Sequence, residues 1–186
     1  MKLVLASASP RRRELMALAA PAYEVCVSDV DESALTAPDP AALAQVLADA
    51  ICAAATALRP GDVVVGCDTV VDCGGVVFGK PRDEADAVAM LRALSGRAHR
   101  VHTGVCVCRD GQAAATVETT TVHFAPIPEE ELLAYVRTPE PYDKAGAYAI
   151  QGRAAVWCSG IEGCYYNIMG LPVHRTAQLL RQFGAL

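Results

Sequence analysis

Ten residues near the N-terminus, Leu5-Ala6-Ser7-Ala8-Ser9-Pro10-Arg11-Arg12-Arg13-Glu14, constrain this chain more than any other stretch. Lys2–Ala6 is an apolar run that reads as a strand, and a helix opens directly behind it. Ser9 is a good N-cap, and Pro10 suits the first helical position, where its missing N–H would have had no partner. Leu15, Met16 and Leu18 then give a helix to about Ala20 a buried side. A helix N-terminus already carries about half a positive charge from its macrodipole. Arg11, Arg12 and Arg13 add to that charge, which is unfavourable unless something anionic meets them. Free backbone N–H groups at a positive helix end suit phosphate. Three solvated arginines on a surface turn are the alternative, and the rest of the chain argues for the anion.

Strand-like and helical runs alternate from there on. Tyr23–Val27 reads as a strand, and Asp39-Pro40 opens an Ala-rich helix to about Leu58. Asp62–Val65 is a β-branched strand, and Val70–Phe78 holds the turn signal Cys73-Gly74-Gly75 of a hairpin. Glu84–Leu94 is helical and closed by Gly96. Val101–Cys108 and Ala114–Phe124 flank Arg109-Asp110-Gly111, a second hairpin with the Asp-Gly preference of tight turns. Pro128–Val136 is a helix, Ala147–Ile150 and Val156–Ile161 are short strands, and Pro172–Phe183 is a final helix. The pattern predicts an α/β chain with a mixed sheet flanked by helices, in two lobes with a central cleft.

At 186 residues, 53% of them apolar, and with a net charge of −5, the chain is expected to fold around one sizeable core as a single domain over 1–186. An acidic chain lacks the broad basic surface of a duplex nucleic-acid binder, so none is expected as a partner. Its positive charge is local, which points to a small polyanion. No apolar run reaches the roughly 20 residues of a membrane span, and no membrane association is expected. The eight cysteines contain no C-x-x-C pair, and the four histidines fall at no zinc-site spacing. Cys106 and Cys108 alternate in an apolar strand, as core residues do. Most of the cysteines read as small hydrophobes in a reducing cytoplasm.

Gly74-Gly75-Val76-Val77-Phe78-Gly79-Lys80-Pro81 nearly matches a phosphate-binding P-loop, but Pro81 stands where a Ser or Thr would ligate magnesium. Val76, Val77 and Phe78 also prefer a strand to a phosphate cradle. Lys80 can still hold a phosphate as a point charge. Gly66-Cys67-Asp68-Thr69 places an acid and a hydroxyl just beyond the strand Asp62–Val65, where α/β sheets open onto their binding crevice. Asp29, Asp31 and Glu32 form an acidic cluster upstream. Carboxylates for Mg²⁺ or Mn²⁺ and cations for phosphates are the ingredients of metal-assisted phosphoryl or nucleotidyl chemistry. A serine hydrolase would want a G-x-S-x-G elbow, which is absent. Nothing in the sequence supplies Cys164 with the cation that an activated thiol needs.

Together these segments resemble the Maf family of nucleoside triphosphate pyrophosphatases. The resemblance runs nearly end to end, in order: L-A-S-A-S-P-R-R at Leu5–Arg12, V-D-E at Val30–Glu32, C-D-T-V at Cys67–Val70 and G-K-P at Gly79–Pro81. It continues through L-S-G-R-A-H-R-V-H-T-G-V at Leu94–Val105, D-K-A-G-A-Y-A-I-Q-G at Asp143–Gly152 and G-L-P at Gly170–Pro172. Each motif alone is weak; seven in the right order are specific. The resemblance implies a two-lobed, inosine-triphosphatase-like α/β fold, commonly a homodimer. It implies hydrolysis of a nucleoside triphosphate to the monophosphate and pyrophosphate with a divalent cation, Mg²⁺ or Mn²⁺.

Carried over residue by residue, the resemblance makes Asp68 the general base, with Glu32 and Asp68 facing the metal. It makes Ser7, Arg12, Lys80 and Lys144 the polyphosphate-binding positions, and Arg11, Thr69 and Gln151 the three that divide the family by substrate. Arg-Thr-Gln resembles the branch that acts on dTTP and UTP. A Gln amide offers one acceptor and one donor, matching N3–H and O4 of uracil or thymine, whereas cytosine reverses that pattern. The alternative is that Gln151 merely satisfies a strand edge. Two departures stand out. Ile51 occupies the place of a lysine aimed at the phosphates, and Cys164 replaces a serine. The rival readings are a low-turnover nucleotide-binding regulator of septum formation, which Ile51 favours, and a pyrophosphatase preferring purine or modified nucleotides. Intact Asp68, Glu32 and Lys80 favour the dTTP/UTP enzyme.

Overall fold

The computed structural model describes residues 1–186. Its β-branched runs assemble into one seven-stranded sheet: β1 (Leu3–Ala6), β2 (Glu24–Val25), β3 (Val63–Cys73), β4 (Val76–Phe78), β5 (Ala98–Arg109), β6 (Gln112–Phe124) and β7 (Cys158–Glu162). The order is β2-β1-β3-β5-β6-β7, with β4 added to β3. β1 runs parallel to β2 and β3, and every other pairing is antiparallel. The helices are α1 (Pro10–Ala19), α2 (Pro40–Leu58), α3 (Glu84–Leu94), α4 (Glu129–Val136), α5 (Tyr165–Met169) and α6 (Val173–Gln182).

Where the sequence suggests a break at Gly66, β3 continues through it. Every residue from Val64 to Asp72 is paired with β5, so long-range pairing overrides the local turn chemistry of Gly66-Cys67-Asp68. Asp68 and Thr69 therefore sit inside a strand, not beyond its end. On the other edge of β3, β1 pairs only as far as Gly66 and β4 begins at Val71. Residues 67–70 have a neighbour on one side only. This fork in the sheet is the floor of the cleft.

Two glycines let α2 lie against the sheet at the fork. A Cβ on Gly66 would stand 2.5 Å from the backbone nitrogen of Cys52, and one on Gly104 would stand 2.2 Å from the carbonyl oxygen of Ala44. Both are impossible contacts, so any side chain at either position would push the helix off. By length and apolar composition α2 could cross a membrane, which corrects the expectation that no such run exists. In the fold it presses Ala44, Ala48, Cys52 and Ala55, all fully buried, onto β3 and β5.

The long strands carry two cores at their two ends. One gathers Leu5, Val65, Val105 and Val107 under α1 and α6, with Val4, Val64 and Cys106 under α2 on the opposite face. The other gathers Val71, Val101, Val122 and Phe124 with α3, α4, Tyr148 and Trp157. These are the two lobes, and the cleft lies between them.

Both expected hairpins form. Gly74 and Gly75 have φ of 63° and 85°, Asp110 and Gly111 have 49° and 81°, and all four lie in the left-handed region that the tight hairpin turns require. Other expectations change. Leu18 is 63% exposed and does not extend the buried side of α1. The expected strand Ala147–Ile150 is a 3-10 turn (Ala145–Ala147) followed by loop, because Gly146 and Ala147 take positive φ. Val156–Ile161 divides into a 3-10 turn (Arg153–Trp157) and β7. The short helix α5, ended by Gly170 at φ 110°, has no forewarning in the pattern.

Candidate active site

The first turn of α1 forms as its residues dictate. Ser9 caps it, its Oγ accepting from the Arg12 amide at 3.4 Å, and Pro10 occupies the first helical position. The preceding Ser7 is buried, and its Oγ accepts from the Ser9 amide at 3.2 Å. This strand-to-helix turn forms one wall of a cleft of about 600 Å³. That volume lies within the range of small-molecule sites, about 300–1,000 Å³.

The three arginines part company here. Arg12 turns inward: its Nε donates to the Gly170 carbonyl at 2.9 Å, and its Nη2 lies 3.2 Å from both Asp68 Oδ1 and Thr69 Oγ1. Successive strand residues project to opposite faces of a sheet. One nitrogen can reach both side chains only from the strand's edge, so the guanidinium stands at the fork. Gly170 allows it to do so, since a Cβ there would touch Arg12 Nε at 3.4 Å in a left-handed conformation that side chains resist. Arg11 crosses the mouth to the other lobe, giving Asp143 Oδ2 a 2.9 Å ion pair. Arg13 is exposed and does not line the cleft, which trims the expected cluster of three to two.

Asp68 is 19% exposed, and its Oδ2 makes no hydrogen bond within the protein, leaving one carboxylate oxygen turned to the cleft. Thr69 spends its hydroxyl on Arg12 and on Thr103 Oγ1 at 2.9 Å. Glu32 reaches the cleft from a single 3-10 turn (Glu32–Ala34) that Asp31 caps. Loss of water on its cleft side, and then the charge of Asp68, push its carboxyl above the usual range. Glu32 and Asp68 thus bring two carboxylates to the same cleft, hard oxygen donors of the kind Mg²⁺ prefers.

From the second lobe come Lys80, Lys144 and Gln151, all lining the same space. Lys80 follows β4 and is exposed, so the near-match to a P-loop belongs to a hairpin strand. Lys144 is anchored by the Glu140 carbonyl at 2.7 Å and by Asp143. Burial opposes ionisation of Asp143, but Lys144 and Arg11 together hold its carboxyl below the ordinary range. Gln151 follows a loop and not a strand, so it satisfies no sheet edge, and its amide makes no hydrogen bond within the protein. Ile51 of α2 is 8% exposed and offers the cleft a hydrocarbon surface.

All nine residues singled out from the sequence thus face one space. Sequence reasoning missed the Gly170 carbonyl, Thr103 and Asp143 as partners of that set. All three lie within the recognised motifs, and the positive charge of Arg11 was the available signal for an acidic mate. A family model described as Maf-like protein matches residues 2–183. The chain belongs to the Maf family. Among relatives of this Maf protein, one from Symbiobacterium thermophilum named dTTP/UTP pyrophosphatase is 49% identical, covering 98% of this chain and 94% of its own. Another with that name, from Koribacter versatilis, is 46% identical over 100% and 96% of the two chains. A third, from Geobacter sulfurreducens, is 49% identical over 100% and 98%. The Ham1 protein of Staphylococcus aureus is similar in fold, with a TM-score of 0.59 at 14% identity, covering 98% of this Maf chain and all of the other.

Proposed function

We propose that this Maf protein hydrolyses nucleoside triphosphates, dTTP and UTP foremost, to the monophosphate and pyrophosphate. The observation that carries the reading is the convergence at the fork of one free carboxylate oxygen with four cationic side chains from both lobes. The names of the relatives agree with it. An enzyme that cleans the nucleotide pool needs these features: cations to hold a triphosphate, and a base to prepare water beside the α-phosphorus.

Arg12, Lys80 and Lys144, with the Ser7 hydroxyl, bind the polyphosphate. Asp68 Oδ2 takes the proton from the attacking water, while Oδ1 is fixed by Arg12 so that the carboxylate cannot rotate away. Glu32 and Asp68 would hold a divalent cation, and when bound it neutralises phosphate charge and eases deprotonation of water. Displacement at the α-phosphorus releases pyrophosphate, whose developing charge falls to the same lysines. Gln151, with Arg11 and Thr69, reads the base. The amide of Gln151 is free of internal bonds and can accept from N3–H and donate to O4. A reversed edge sets donor against donor and acceptor against acceptor at the Gln151 amide, so CTP should fare worse.

Residues 1–186 act as one unit in this reading, as a homodimer in the cytoplasm, where the eight free thiols are supported by reducing conditions. The test is pyrophosphate release over a nucleotide panel with Mg²⁺ or Mn²⁺, run in ¹⁸O-labelled water. The label should enter the monophosphate, and dTTP and UTP should lead in kcat/KM. Label in the pyrophosphate would mean attack at the β-phosphorus, and equal rates on CTP and UTP would remove Gln151 from base reading.

A further inference from the structure

Away from the cleft floor, on the α2 face of the sheet, Cys52, Cys106 and Cys108 bring their three sulfurs within 4.8 Å of one another. Sequence spacing could not reveal this group, because its members come from a helix and from a strand far along the chain. The fold assembles it for a specific reason. Gly66 pairs with Cys106 across the sheet, and the missing side chain at Gly66 lets the backbone of Cys52 settle there. Cys106 and Cys108, two apart in β5, project to the same face, with their sulfurs 3.4 Å apart. Cys52 Sγ adds a contact to the Val64 carbonyl at 3.3 Å.

We infer that Cys52, Cys106 and Cys108 form a three-coordinate site for a soft thiophilic ion, with trivalent arsenic the best match. Three arguments narrow the ligand. Thiol sulfur selects soft ions over Mg²⁺ or Ca²⁺. A structural zinc site requires a fourth ligand, and no further thiol, imidazole or carboxylate joins the three sulfurs at that spacing. The surroundings also resist charge: Val4, Ala6, Ala48, Ile51, Ala55 and Val64 enclose the sulfurs. The proton of Cys106 is held first by its hydrogen bond with Cys52 and then by burial, and burial raises Cys108 to about 11. Copper(I) on three thiolates would leave two net negative charges in that apolar space, which is costly.

Arsenous acid avoids that cost. In As(OH)₃ + 3 RSH → As(SR)₃ + 3 H₂O, three As–O and three S–H bonds break, three As–S and three O–H bonds form, and arsenic stays trivalent. Thiol protons leave in water and the adduct is neutral. Cys52 and Cys106 are fully or nearly fully buried, so entry is past Cys108, the partly exposed member.

The test exposes the whole folded protein to arsenite, in a phosphine reductant that offers no competing dithiol. Intact-mass measurement should find one arsenic per chain, with three hydrogens lost, and X-ray absorption should count three sulfur neighbours. The melting temperature should rise with arsenite, as for any ligand that binds only the folded form. Cys52→Ala and Cys106→Ala should each abolish uptake and the rise, while Cys158→Ala and Cys164→Ala keep both. Because wild-type sulfur coordination is read directly, the inference does not depend on the variants folding. Uptake unchanged in Cys52→Ala, fewer than three sulfur neighbours, arsenic bound only by unfolded chain, or stronger stabilisation by zinc or copper(I) than by arsenite would each overturn it.

Discussion

Two hollows of nearly equal size divide this molecule, about 600 Å³ at the fork and about 640 Å³ beneath α4. The second is lined by Pro126, Tyr135 and Trp157, and of its polar side chains only the Arg153 guanidinium makes no hydrogen bond within the protein. Glu131 accepts from Trp157 Nε1 at 2.8 Å, and Tyr135 gives its hydroxyl proton to Glu140 at 2.9 Å. At the fork far more is left over: Asp68 Oδ2, Lys80 and the Gln151 amide all face the space without internal partners. Size does not mark the functional hollow. What marks it is polar capacity left over after the fold has met its own needs.

The sharpest separation of the two should come from Asp68→Asn. It keeps shape and the bond to Arg12 but cannot take a proton, so kcat should fall by about 10²–10⁴-fold. Nucleotide binding and melting temperature should stay close to those of the parent. Near-normal turnover would remove Asp68 from the base role. Trp157→Ala, in the other hollow, should do the opposite. Emptying an aromatic core position costs about 3–5 kcal/mol of stability in urea titrations, while kcat of the folded remainder holds. A tenfold fall in kcat would mean the second hollow serves the chemistry after all.

His99 belongs to the same packed lobe, in edge contact with Phe124 and Tyr148 and bonded to the Tyr148 hydroxyl at 2.8 Å. Burial lowers its pKa from 6.5 to about 4. Below about 6.5 the unfolded chain binds a proton that the folded chain refuses, so stability falls as pH drops from 6.5 towards 4 and is level above it. The loss should approach about 3 kcal/mol in urea midpoints taken across that window. His99→Phe should flatten the slope; an unchanged slope would assign it to other groups.

Smaller effects return to the cleft. Gln151→Glu removes the donor to O4 and should narrow the preference for UTP over CTP by about tenfold in kcat/KM. Finally, Ile51→Lys should lower KM for every nucleotide by a common, few-fold factor, since a phosphate contact is blind to the base. Unchanged kinetics would show that Arg12, Lys80 and Lys144 already suffice.

Much of this was legible in the sequence because local chemistry was unambiguous there. Ser9-Pro10 fixes a helix start, Asp110-Gly111 fixes a hairpin, and both stand where expected. The nine residues matched through the motif order all line the cleft, whereas Arg13, singled out by local charge alone, does not. The errors have physical causes. Gly66-Cys67-Asp68-Thr69 looks like a turn, but nine successive pairings with β5 hold it straight. Ala147 takes a φ of 60°, which no β propensity could anticipate. Leu18 is apolar yet exposed, and apolar identity does not oblige burial. The thiol trio was invisible because helix-to-sheet contact at Gly66 creates it.

The strands that pass the fork carry a last consequence. β3, β5 and β6 run unbroken from one core into the other, so neither core owns a complete set of strands. Melting either end strips partners from the other, and the two should be lost in one cooperative transition, seen alike by Trp157 fluorescence and by far-ultraviolet dichroism. Cutting the chain between lobes would yield two fragments with half-sheets and exposed edges. A cleft that resembles a joint between domains is instead a notch in a single beam.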